Sequence, residues 1–330
     1  MLELDRFVDR DAARAAIAAG APVWIGVNPI EYHGPHLSLQ NDRWCARGLA
    51  LRLARRLHAA HGWDYVDGGE IAAGVEPVPG PGSVPVRFGE VRRRVAEACD
   101  AAIADGATRI VLSTFHGAPL HQLALDDVAR ASAGRGIRVL APFHLVAAGL
   151  IADRVPEVDA AFDTIADPEL RERVRAGLAT DFHAGFFETS MALALAPGRV
   201  SPRWREVEDC PPVRPAMVFW GLASAARGLG AATLAAELEA AAFSTGWQGL
   251  RPFPGYTGRP RLASAEAGER FCEHLLALYA QAAEAVLVRG EAHPQPILRW
   301  VRPLTLGGRL PAIAAPASAV IGAPFVPEIA

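Results

Sequence analysis

Residues 22–27 read Pro-Val-Trp-Ile-Gly-Val. Residues 28–42 follow directly as Asn28-Pro-Ile-Glu31-Tyr-His33-Gly-Pro-His36-Leu-Ser-Leu-Gln-Asn-Asp42. The first six form an apolar run of the length of a buried strand. The loop after them holds a Glu, two His and an Asp within twelve residues. Open parallel sheets bind ligands beyond the carboxyl ends of their strands, so the polar loop falls where such a fold does its chemistry. Glu31 and His33 stand at i and i+2, on one side of an extended strand end. Neutral imidazole and carboxylate oxygen suit divalent zinc, manganese or iron. Asp42 sits where the next helix begins and has two oxygens to offer, as a bridging ligand must. The plainer alternative is a polar loop with Asp42 as a helix N-cap.

The surrounding sequence keeps an α/β rhythm. Helices are expected over 11–19, 42–61, 90–104 and 120–133, and strands over 22–27, 65–66, 109–113 and 137–142. In 42–61 the apolar Cys45, Leu49, Leu53 and Leu57 recur at helical spacing. Strand, helix, strand at this spacing implies parallel strands with right-handed crossovers. Residues 70–88 are rich in Gly and Pro and read as loop. Further helices are expected over 168–178, 187–196, 222–243 and 264–288, with loops over 198–215 and 244–262. The tail after 288 is Pro-rich and reads as lying on a surface rather than as a domain of its own.

Composition narrows the chemistry. All 33 Lys+Arg residues are Arg. Without lysine there is no Schiff base and no Walker A loop. A GC-rich genome is the plain cause of that bias. A net charge of -3 gives no basic footprint for nucleic acid. Cys45, Cys99, Cys210 and Cys272 form no CxxC pair and read as reduced core thiols. The first six residues are acidic where a signal peptide is basic. The uncharged run 310–327 carries four prolines, which a membrane helix would not. A cytoplasmic chain with no membrane partner is the expectation.

Two more clusters lie downstream. Arg109-Ile-Val-Leu-Ser-Thr-Phe-His116-Gly117 is again a buried strand ending at a His and a Gly. Asp181-Phe-His183-Ala-Gly-Phe-Phe-Glu188-Thr-Ser190 opens the helix expected over 187–196. Glu188 is a rare charge in an apolar stretch, costly there unless paired or metal-bound; a carboxylate stabilised by the helix dipole is the alternative. His183, close to such a centre, reads as a proton shuttle.

Taken in order, these clusters resemble the creatininase family of metal-dependent amidohydrolases. The first family signature stands as Glu31-Tyr-His33-Gly34-Pro-His36-Leu37 with Asp42 at the matching distance, and the third stands unaltered from His183 to Ser190. The second is altered to Thr114-Phe-His116-Gly117-Ala118-Pro119. Weaker matches lie at Pro81-Gly82-Ser83 and at 256–264, so the resemblance spans roughly 3–287. It implies a three-layer α/β/α fold with a mostly parallel central sheet, and a homo-oligomer, often a hexamer. It implies a hydrolase domain over 1–290, with a longer insertion at about 198–255, and a tail over 291–330. It also implies two divalent metals per chain: Glu31, Asp42 and His116 on one, and His33, Asp42 and Glu188 on the other. His183 and Glu188 would be catalytic. His36, Ser83, Arg87, Phe115 and Arg259 are the candidate substrate contacts.

The altered second motif implies a rebuilt substrate pocket around an intact metal centre. Trp204, Trp220 and Trp247, in or beside the insertion, read as packing or as a pocket wall. The expected reaction is hydrolysis of a C–N bond in a small amide, cyclic amide or formamide by metal-activated water. The alternatives are a peptidase trimming a modified peptide, a ring-opening hydrolase of an oxidised cyclitol, and an inactive metal-binding relative. A Rossmann-like nucleotide binder lacks its Gly-x-Gly-x-x-Gly after any strand.

Overall fold

The computed structural model describes residues 2–3, 10–151 and 155–310. The readings drawn from the acidic N-terminus and the proline-bearing run 310–327 rest largely on residues outside that set. Five parallel strands, β1 (Leu2–Glu3), β2 (Val23–Asn28), β3 (Val66–Ala72), β4 (Arg109–Ser113) and β5 (Arg138–Leu140), form one sheet in the order β1-β3-β2-β4-β5. Alternation along β2 sorts the layers. Val23, Ile25 and Val27 pack with α1 (Arg10–Ala18), α3 (Phe88–Ala104) and α4 (Pro119–Ala133). Trp24 packs on the other face, where α2 (Asn41–His61), α7 (Phe186–Leu195) and α10 (Ala265–Ala283) build the larger core. This is a three-layer α/β/α fold.

The remaining described α-helices are α5 (His144–Ile151), α6 (Pro168–Ala176), α8 (Met217–Gly228), α9 (Ala232–Gln248) and α11 (Val301–Leu304). A π turn over Glu284–Val288 continues α10. Ala265–Val288 is long and apolar enough to cross a membrane by composition alone; packing of Phe271, Leu275, Tyr279 and Val286 in the core accounts for that apolarity.

Three expectations need correction. β3 runs through residues read as loop. Its Val-Asp-Gly-Gly-Glu-Ile-Ala sequence hides the strand, because Gly68 packs where a side chain would meet Val23 and Ile25. The single helix expected over 222–243 is two: α8 starts earlier, and the turn at Gly230 (φ +76°) reverses the chain into α9, which runs on to Gln248. α5, unmarked by any strong periodicity, was not expected.

The described part of the tail lies on the body. His293 Nε2 accepts the Ala141 N–H just past β5 (3.0 Å), Trp300 Nε1 donates to Glu237 of α9 (2.8 Å), and Arg302 donates to Asp127 of α4 (2.6 Å). The Trp204 ring is buried in the α2/α7 core and Trp247 is buried beside Phe253, whereas Trp220 is exposed on α8.

Candidate metal centre

Register places the strand ends. Gly26 of β2 pairs with Ser113 of β4, so the loop carrying Glu31 and the segment carrying His116 leave the sheet side by side. Asn28 ties them: its Oδ1 accepts the Phe115 N–H (3.1 Å) and its Nδ2 donates to Ser113 O (3.4 Å). Asp42 enters from the first turn of α2. The N-cap there is Gln40, with no side-chain capping bond, so the Asp42 carboxylate is not spent as an N-cap. Glu188 enters from the first turn of α7. Its Oε2 accepts the Ala184 N–H (2.6 Å) and its Oε1 accepts Asn41 Nδ2 (2.7 Å).

Six side chains from these four segments converge: Glu31, His33, Asp42, His116, His183 and Glu188, each 1–6% exposed. They form three overlapping triads with ligand-competent atoms within 4.8 Å of one another: Glu31/Asp42/His116, His33/Asp42/Glu188 and Glu31/His33/His183. Asp42 belongs to the first two and offers one oxygen to each side. Oδ1 is 3.2 Å from His33 Nε2, and Oδ2 is 3.6 Å from His116 Nδ1.

The donor chemistry fits divalent cations. Each histidine faces a backbone carbonyl with one ring nitrogen: His33 Nδ1 on Glu31 O (3.0 Å), His116 Nε2 on Val75 O (2.9 Å), and His183 Nε2 on Tyr32 O (2.9 Å). A carbonyl only accepts, so each of these nitrogens carries the proton, as metal-ligating imidazoles are commonly fixed. The other nitrogen then faces carboxylates. His33 Nε2 is 3.1 Å from Glu188 Oε1, and His116 Nδ1 is 2.9 Å from Glu31 Oε2. Glu31 Oε2 and Asp42 Oδ2 are buried and make no well-formed hydrogen bond. Bare nitrogens and carboxylate oxygens crowded together require a positive charge between them.

With no metal in place, protons take that position. Burial disfavours charge on His33, but Glu188 and Asp42 outweigh it and hold the imidazole well above its ordinary range. Burial likewise opposes His116, and Glu31 lifts it to about 9. Burial pushes Asp42 up to about 7, with His33 opposing and Glu31 adding to the rise. Burial and neighbouring His33 push His183 down.

The expected substrate contacts scatter. Phe115 is buried between Phe143 and Phe187 beside the cluster. His36 is buried, its Nε2 facing Ala184 O (3.1 Å) and Thr189 Oγ1 (2.9 Å). Ser83 Oγ accepts the Tyr32 N–H and donates to Val78 O. Arg87 is exposed at the start of α3, and Arg259 donates to Asp209 Oδ2 at 2.8 Å. Sequence reasoning gave no role to Asn41, His121, Asp181 and Thr257, all buried around the centre. Lone Asn, Asp and Thr residues carry no spacing signal. Only the adjacency of Asn41 to Asp42 offered a hint.

A cavity of about 200 Å³ opens between α2 and β2–β4, lined by Trp24, Asn28, Arg43, Tyr65 and Glu70; none of the six cluster residues lines it. Beside the cluster, the Trp247 ring of α9 lies 5.7 Å from that of His183.

The creatininase family pattern, described as creatinine amidohydrolase, matches residues 9–283. No functionally curated protein matches. Among solved structures, the chain is similar to a manganese creatininase at 18% identity and TM-score 0.52, covering 86% of this chain and 97% of that one. A zinc–zinc form of a creatininase mutant matches at 20% identity and TM-score 0.53, covering 85% and 95%. A putative creatinine amidohydrolase from Bacteroides fragilis NCTC 9343 matches at 15% identity and TM-score 0.54, covering 81% and 90%. Those identities speak to the fold alone, but the family pattern runs across most of the chain, from α1 to the end of α10: the protein belongs to the creatininase family.

Proposed function

We propose that the chain is a metal-dependent amidohydrolase that cleaves a C–N bond of a small amide, cyclic amide or formamide. The observation that carries this reading is the convergence of three carbonyl-anchored histidines and three carboxylates in one buried centre. Glu31, Asp42 and His116 would hold one divalent cation and His33, Asp42 and Glu188 a second, with Asp42 shared. Zinc, manganese and iron all suit this donor set. Paired cations supply an electrophile for the carbonyl and an activated water at neutral pH.

The protein's own part is positioning and proton transfer. His183 keeps Nε2–H on Tyr32 O, so Nδ1 is the nitrogen that trades protons. Burial disfavours its charged form, leaving it ready to accept a proton from the attacking water and return it to the leaving nitrogen. Burial of all six residues also favours a small substrate over a peptide tail.

The test is incubation of the metal-loaded protein with lactams, formamides and short peptides, read by mass spectrometry. Cleavage of a small amide supports the reading; cleavage of peptides alone replaces it with the peptidase. Ring-opening of an oxidised cyclitol in place of amide cleavage moves the chemistry to C–C bonds. Bound metal without any turnover leaves an inactive relative. Self-association is part of the same proposal. α8 exposes Met217, Val218, Trp220 and Leu222, an apolar face suited to a second copy. A monomeric mass by light scattering would refute it.

A further inference from the structure

Thr257 grips His183 at three points. Its backbone N–H donates to His183 O (2.8 Å), its hydroxyl donates to the same carbonyl (3.0 Å), and the hydroxyl oxygen accepts the His183 N–H (3.1 Å). Thr257 is fully buried. A hydroxyl both donates and accepts, so one side chain closes on the amide and the carbonyl of a single residue.

The segment so gripped is held against its preference. Ala184, next in the chain, sits at φ +48°, a region sparsely used by residues with a Cβ and maintained only where the surroundings over-determine it. The Asp181 carboxylate accepts the Phe186 N–H (2.8 Å) at the start of α7. A Cβ at Gly185 or Gly258 would come within 1.7 or 2.6 Å of that carboxylate. The turn 181–186 and the loop 256–258 therefore interlock through backbone.

The far side of the same loop is tied to the inserted segment. Trp247 Nε1 donates to Tyr256 O (2.8 Å), the Cys210 N–H donates to Gly258 O (2.9 Å), and Arg259 Nε donates to Asp209 Oδ2 (2.8 Å).

We propose that Thr257 is the positioning residue for His183, and that the loop 256–259 makes the placement of that imidazole depend on the inserted segment. The proposal rests on the reading of His183 as the proton-transfer residue. Thr257 bonds to the backbone of His183 rather than to its imidazole and has no part in the chemistry itself. The bond from His183 Nε2 to Tyr32 O and the stacking of its ring on His33 at a centroid distance of 4.5 Å fix where Nδ1 faces. Both follow the backbone that Thr257 holds. A displacement of about 1 Å in a reacting group can lower a rate on the order of a hundredfold.

The test compares Thr257→Val, which keeps the shape and loses the hydroxyl, with Thr257→Ser, which keeps the hydroxyl, and with Trp247→Phe, which loses only the donor to Tyr256. All are zinc-loaded. Three quantities are read: kcat and KM on whichever amide the wild type cleaves, zinc per chain, and the 15N resonances of His183, assigned with His183→Ala. For Thr257→Val, kcat falls at least about tenfold with KM within about twofold. Zinc content stays at the wild-type value, and the His183 signal moves from a single Nε2–H tautomer to a mixture. Thr257→Ser matches the wild type, and Trp247→Phe moves the signal in the same direction by less. Wild-type kcat and an unmoved His183 signal in Thr257→Val overturn the proposal. So does Thr257→Ser as impaired as Thr257→Val. An unmoved signal in Trp247→Phe overturns the link to the inserted segment. If the wild type cleaves no amide, the amidohydrolase reading fails, while the His183 resonances still decide the clamp.

Discussion

Asp42→Asn should change the sign of its effect on stability when metal is added. In chelator at pH 8, wild-type Asp42 is ionised in a place where burial, reinforced by Glu31, has pushed it up to about 7. An acid raised from about 3.9 in the unfolded chain lowers stability as pH climbs between those values, because the folded state binds the proton more tightly. The full span corresponds to about 4 kcal/mol. The imperfect fit of an amide in place of the carboxyl beside His33 offsets about half of it, leaving the neutral amide about 2 kcal/mol more stable. For a chain of 330 residues the unfolding entropy is about 0.7 kcal/mol/K, so Tm rises by about 3 °C.

With zinc at a hundred times Kd, each bound cation adds about 2.7 kcal/mol to the wild type, and two add about 5. Asn cannot bridge and forgoes that gain. Its Tm should then lie about 5 °C below wild type. Thermal denaturation with and without metal reads both signs. An Asp42→Asn protein that melts below wild type in chelator, or that gains as much from zinc as wild type does, refutes the reasoning.

Metal uptake at pH 7 should release about two protons per chain, those on His33 and His116, so affinity should weaken as pH falls. Calorimetry in buffers of different ionisation heat counts them, and a count of zero contradicts the site. Asn41→Ala removes the donor that holds Glu188 Oε1 and should weaken zinc binding by about 10–100-fold in a competition titration, with little change in fold by circular dichroism. His144 is pushed down to about 4, by burial first, while the unfolded chain protonates near 6.5. Stability is therefore lost as pH falls from about 6.5 towards 4, by at most about 1.4 kcal/mol per pH unit. In urea melts His144→Asn should flatten that acid limb, and an unchanged slope would count against burial as the cause.

How legible the molecule was in its sequence varies with the kind of signal. β2, β4, α2 and α7 announce themselves by apolar period and by the polar residues clustered at their ends. The glycine-rich β3 does not, because its place is set by partners β1 and β2 rather than by its own side chains. The α8–α9 hairpin reads as one helix because the break at Leu229-Gly230 is only a few residues long between two Ala-rich stretches. At the centre, Glu31, His33, Asp42, His116, His183 and Glu188 stand out in the sequence, since carboxylate and imidazole at strand and helix ends are conspicuous, and the fold brings them together. Thr257 lies 74 residues from the histidine it grips. Such a contact is created by tertiary folding, and local sequence holds no trace of it.

The tail carries a last consequence. The family pattern stops at residue 283, yet the amide of Ala141 beyond β5 finds its acceptor in His293, and Glu237 and Asp127 find donors in Trp300 and Arg302. The stretch that the family pattern matches and the stretch that packs on the body therefore end at different places. A protease cut or a stop codon near residue 290 would fall after the last residue the family pattern matches, and still leave the amide of Ala141 past β5 with an unanswered N–H. Trimming this chain to its recognisable part would yield a less stable protein, though not one residue of the six-residue cluster had been touched.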